Sequence, residues 1–167
     1  MRRFSLSSVP VPVLVGLALL VLLAPAAASA QRLDGFDGSL AVIDGDGSLV
    51  VQGRGVIYGS FAQGTMYVLV YRPDSAGQTL SVSGAEAQTD ADGVTTYTGS
   101  DVRFLLPSGH YRLEVVATGI DVSAVGRGTA GASAGTTVSA GSFALDGGKP
   151  VAFDHVDGPQ VFAPRMP

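Results

Sequence analysis

The residues with the most chemical potential by type are Asp154-His155-Val156-Asp157, two carboxylates around an imidazole. Metal centres draw on such donors. The cluster stands beside a proline-containing terminus, with no second cluster at ligand spacing, so it reads as a solvated turn. Asp44-Gly45-Asp46-Gly47-Ser48 has the alternating oxygens that open a calcium loop. An EF-hand needs Gly at its sixth position and Glu at its twelfth, and here Leu49 and Gly55 stand there. Asp-Gly is also a turn signal, and the turn is the preferred reading. Thr89-Asp90-Ala91-Asp92-Gly93 poses the same choice and receives the same answer. A weak calcium site of another type at Asp44 and Asp46 stands as an alternative.

A hydrolase would need a nucleophile, a base and an orienting acid. Serines and aspartates are plentiful and the candidate bases are His110 and His155, but no Gly-x-Ser-x-Gly elbow occurs. His110 falls at an expected hairpin tip, where a polar side chain needs no special role. A secreted hydrolase or metal-dependent enzyme using His110 or His155 is the second reading. Gly53-Arg54-Gly55 and Gly126-Arg127-Gly128 suggest phosphate cradles only superficially, because neither opens a helix. They read as strand ends belonging to the scaffold. Tyr67, Tyr71 and Tyr111 fall on apolar strand faces and read as core, not as a carbohydrate platform. No catalytic, cofactor-binding or metal-ligating residue is assigned, and no cofactor is expected.

The elements that would position these residues are strands. In Val102-Arg103-Phe104-Leu105-Leu106 and Tyr111-Arg112-Leu113-Glu114-Val115, apolar side chains alternate with polar ones or with the second face. Pro107-Ser108-Gly109-His110 between them predicts a hairpin. The register that keeps the apolar residues together sets Leu106 opposite Tyr111, Phe104 opposite Leu113, Val102 opposite Val115 and Arg103 opposite Glu114. Further strands are expected at 39–43, 48–52, 56–61, 65–71, 79–83, 95–98 and 120–125. Ala62-Gln63-Gly64 reads as a hairpin loop. A last hairpin should run from Ser142–Leu145 to Val151–Asp154 around Asp146-Gly147-Gly148. Ala130 to Gly141 is low in bulk and reads as a thin core lining or a loop.

Sliding the chain by 64 residues matches Asp37, Gly45, Leu49, Val51, Gly55, Gly64 and Thr65 with Asp101, Gly109, Leu113, Val115, Gly119, Gly128 and Thr129. The pattern reads as two related three-strand meanders. The expected fold is all-β, an antiparallel β-sandwich or closed barrel-like domain, with a β-solenoid as the alternative.

Residues 1–30 lie outside that fold. Arg2 and Arg3 precede the uncharged apolar run Val9 to Leu23, and Ala28-Ser29-Ala30 supplies small residues for cleavage. The run is short against the roughly 20 residues of a spanning helix. A cleaved secretory signal peptide is therefore expected, with an uncleaved membrane anchor as the alternative. Residues 31–36 form a flexible lead-in, 37–157 a single all-β domain, and 158–167 an irregular tail. Removing 30 of 167 residues leaves 137, enough for one core. Without cysteine, packing alone must hold it. Eight basic against fourteen acidic residues then remain, a net charge near −6. Such a surface repels nucleic acid and anionic membranes, so neither is an expected partner.

Gly119-Ile120-Asp121-Val122-Ser123-Ala124-Val125-Gly126-Arg127-Gly128, with Gly99-Ser100-Asp101-Val102-Arg103-Phe104 before it and Asp146-Gly147-Gly148 after it, resembles a group of small exported β-rich proteins of high-GC Gram-positive bacteria. The resemblance implies a β-rich exported domain and supplies no site residues. The resulting expectation is a non-catalytic β domain, secreted or held in the cell envelope, whose partner is an envelope protein or polysaccharide.

Overall fold

A computed structural model describes residues 37–135 and 141–163. The expected signal peptide and lead-in, residues 136–140 and the end of the tail lie outside the described residues. The fold is all-β. Its elements are β1 (Gly38–Pro73), β2 (Ser81–Thr89), β3 (Thr95–Ala134), β4 (Ser142–Leu145), β5 (Val151–Ala152), a 3-10 turn at Phe153–His155 and β6 (Gln160–Phe162). They form one antiparallel sheet in the order β2-β3-β1-β4-β5, with β6 added to β3. The sheet is not closed into a barrel. Among the described residues no helix is long and apolar enough to cross a membrane.

The connectivity departs from the expected meanders. β1 and β3 are very long strands that pair with each other along both edges. Leu49 lies opposite Val115 on one edge and opposite Ala132 on the other. Those partners are 17 residues apart in one strand, so the pair must coil around itself. The coil bends along two rows of small residues. One row reads Pro73, Gly109, Gly55, Gly126, Gly38 across neighbouring strand courses; the other reads Ala85, Gly99, Gly64, Ala117, Gly47, Ala134. Each course crosses a row after eight or nine residues, from Gly38 to Gly47 to Gly55 to Gly64. Gly55 and Gly126 have φ of 140° and 149°. A Cβ on either would collide with a carbonyl oxygen of the facing course. These rows are the creases at which the sheet folds over.

The two halves of the folded sheet share one core. Leu40, Val42, Ile57, Phe61, Phe104 and Ile120 come from one half, and Leu49, Val51, Met66, Tyr111, Leu113 and Val115 from the other. Phe143, Phe153 and Phe162 complete it. With no disulfide, burial of these side chains, about 1.5–3 kcal/mol for each large one, is what holds the coil.

The hairpin expected at Pro107-Ser108-Gly109-His110 is absent, and so is its register. Phe104 lies opposite Gly59, Val102 opposite Phe61, and Leu113 opposite Val51 and Val68. No residue from Pro107 to His110 has the positive φ of a tight primed turn. Instead Pro107 and Ser108 together face Val56, a β-bulge that absorbs one extra residue and the missing proline N–H. The bulge shifts the inward face from even to odd positions, so the inward residues are those expected while their partners differ. Running straight on is favoured because both edges of each course are then hydrogen-bonded. The chain likewise passes through Ala62-Gln63-Gly64 without reversing. Across the 64-residue offset, Leu49 and Val51 lie opposite Val115 and Leu113, each opposite the other's counterpart.

Other expectations fare better at the ends. β4 and β5 pair around Asp146-Gly147-Gly148 as expected, though β5 stops at Ala152. Residues 130–134 prolong β3, with Ala130 buried. The tail is not irregular throughout: β6 pairs with Gly128, Thr129 and Ala130 and buries Phe162, which fills the space above Gly128.

Candidate functional site

One crease positions an unusual row of side chains. The residues one step from it are Arg72, His110, Arg54 and Arg127, and each lies directly opposite the next. Gly53-Arg54-Gly55 and Gly126-Arg127-Gly128 are therefore not strand ends. They are cross-strand partners in the sheet interior, glycine against glycine and arginine against arginine. Directly paired residues share a face, and all four side chains are exposed. Neighbouring strands lie about 4.8 Å apart, so the row spans about 15 Å. Arg112, beside His110 on the same face, adds another guanidinium.

Composition makes this concentration informative. Among the described residues there are six Lys and Arg, and four of them stand on this face. One carboxylate answers them within the row. Asp74 Oδ1 accepts a hydrogen bond from Arg54 Nη2 at 2.9 Å, and Asp74 Oδ2 accepts one from the Ser108 hydroxyl at 2.6 Å. The Ser108 bond foremost, then the Arg54 bond, holds the Asp74 carboxyl below its ordinary value of 3.8. Arg54 is fixed at one end while its side chain remains 46 % exposed. Arg72, Arg112 and Arg127 form no ion pair among the described residues. Behind the row Gln52 and Thr129 offer polar groups, flanked by the exposed Val70 and Val161.

The candidates for catalysis and metal binding are placed differently. Ser108 donates to Asp74 directly, and no hydrogen bond joins His110 to either, so the serine–imidazole–carboxylate order of a triad is not formed. His155 has a side chain 79 % exposed, and its Nδ1 lies 3.7 Å from Asp154 Oδ1, beyond hydrogen-bond length. His155 and Asp157 line a cleft of about 320 Å³ with Phe143, Leu145, Lys149 and Gln160. Asp46 Oδ1 accepts the Gly119 N–H at 2.9 Å, and the Asp44 N–H donates to Asp121 Oδ1. Asp90 Oδ1 accepts the N–H groups of Asp92 and Val94. Asp46 and Asp90 thus spend carboxylate oxygens on backbone donors; the turn expected at 44–48 is absent, because β1 runs through it, while that at 90–93 is formed. Among the described residues no three His, Asp or Glu side chains are grouped to hold a metal ion.

Sequence reasoning missed the row. The two Gly-Arg-Gly tripeptides were its visible trace, but their meaning depends on a pairing between residues more than seventy apart. Comparison with known protein families, with curated proteins and with solved structures gives no match.

Proposed function

We propose that the chain is an exported, non-catalytic binding domain of the cell envelope or extracellular space, and that it holds its partner on the face bearing Arg72, His110, Arg54 and Arg127. One observation carries this reading: Arg54 and Arg127 stand directly opposite one another, with Arg72 and Arg112 on the same face, where folding alone gives them no advantage. Like charges directly opposite in a sheet are destabilising, by a fraction of 1 kcal/mol per pair. Asp74 offsets this at one position only. An anionic partner would convert the unfavourable row into a set of charge-assisted hydrogen bonds. The apolar run before Ala28-Ser29-Ala30 supports export.

Fractionation of cells producing the tagged full chain tests the reading. The expected result is recovery from the medium or envelope, with saturable sedimentation of the purified chain on isolated envelope material. Recovery from the cytoplasm, or no retention by the envelope fraction, contradicts it.

A further inference from the structure

From the geometry of the row we infer that the ligand is a linear acidic polysaccharide, a polymer of uronic-acid sugars laid along the crease across the strands. The inference rests on the binding-domain reading above and names its ligand class. Three features select it.

The first is charge spacing. Arg72 and Arg54 stand two strand separations apart, about 10 Å, with His110 between them, and Arg54 and Arg127 stand one apart, about 5 Å. Those distances are close to two advances and one advance of a pyranose ring along a 1→4-linked chain, so carboxylates of one polymer can reach all three guanidiniums. Arg54 and Arg127 present planar forks suited to bidentate carboxylate binding.

The second is the ground beside the row. Gln52 and Thr129 are directly opposite one another and exposed, placed for sugar hydroxyls, and Val70 and Val161 give apolar contact to the ring faces. Single-stranded nucleic acid is held largely by bases stacking on aromatic side chains, and the row contains none.

The third is range. Screening acts over about 10 Å at 0.1 M salt, so a ligand on the row is governed by the arginines and little by the net negative charge elsewhere. Affinity must then fall as salt rises.

The test is titration of the purified full chain with polygalacturonate at about 20 mM and about 200 mM NaCl, with dextran, polyphosphate, oligo-dT and phosphatidylglycerol vesicles as parallel probes. Saturable binding to polygalacturonate is expected, weaker at high salt, with none to dextran. Arg127→Gln should weaken it several-fold and Arg72→Gln/Arg127→Gln about tenfold or more, with melting temperatures not lowered. Arg103→Gln removes the same charge from the other outer face and should change it less than about twofold. Equal loss from Arg103→Gln, tighter binding to oligo-dT, polyphosphate or vesicles, or no binding to polygalacturonate at low salt overturns the inference. If envelope material still retains the chain in that last case, the ligand class fails and the binding-domain reading stands. Loss of both removes both.

Discussion

Gly55 and Arg54 are neighbours in sequence, and so are Gly126 and Arg127, yet the two rows they build have opposite relations to stability. The glycine row is a crease: the facing backbones approach too closely for any side chain, and the coil cannot close over its core without it. The arginine row, one residue away, aligns like charges and gives the fold nothing in return but one ion pair to Asp74. The difference separates scaffold from surface at single-residue resolution. It also assigns the Gly-Arg-Gly tripeptides two roles at once, with the glycines structural and the arginines available for binding.

The crease side of this contrast should give the largest effect. Gly55→Val puts a branched side chain at φ of 140° against the carbonyl oxygen of Val125. Strain and overpacking together should remove about 4 kcal/mol or more, a large share of a typical domain's stability. Gly77 is the control, since its φ of 89° is left-handed but nothing lies within 4 Å. Gly77→Ala should cost only about 1–2 kcal/mol in urea unfolding. Equal losses at the two sites would mean that the crease has no special role.

A smaller effect of opposite sign is expected at Tyr111, which packs inward next to His110. It is 2 % exposed, and its hydroxyl is buried with no hydrogen-bond partner among the described residues. Burial pushes the phenol up to about 12. Tyr111→Phe should therefore leave stability unchanged or raise it by about 1 kcal/mol at neutral pH. The sign at high pH follows from the raised value. In the unfolded chain the phenol ionises near 10.0, so stability falls as pH rises from there towards about 12. The Phe variant should lose less over that window in pH-dependent urea melts.

Asp74 should give the smallest stability change. Its folded value lies below 3.8, so its contribution is present above that pH and lost as pH falls through the lowered value. Asp74→Asn should flatten this acid loss slightly. It should also free Arg54 and strengthen polygalacturonate binding at neutral pH, which would sharpen the contrast between the rows.

Alternation along Val102, Phe104, Leu106 and along Tyr111, Leu113, Val115 was enough to name the inward residues and the fold class, because side-chain direction has a period of two whatever the partner. It could not name the partners. A four-residue turn and a bulge at Pro107-Ser108 leave the same residues facing inward, so parity cannot tell a hairpin from a strand that runs through. The choice is made by hydrogen bonding on the far edges of β1 and β3, between residues distant in sequence. The arginine row was hidden for the same reason: Arg72, His110, Arg54 and Arg127 become neighbours only once both edges of the coil are paired. Only the Thr89–Gly93 turn was legible, where Asp90 bonds to its own turn, whereas Asp44 to Ser48 lies within β1 and Asp46 bonds to Gly119, distant in sequence.

The central claim is that the cationic row is unfavourable to the fold and kept for a ligand. The urea midpoint of Arg127→Gln at low salt without ligand tests it most directly. Removing the charge opposite Arg54 should raise the midpoint, equivalent to roughly 0.2–1 kcal/mol, with the gain shrinking as salt is added. A midpoint that falls, by an amount that salt does not change, would make Arg127 part of the scaffold and contradict the account.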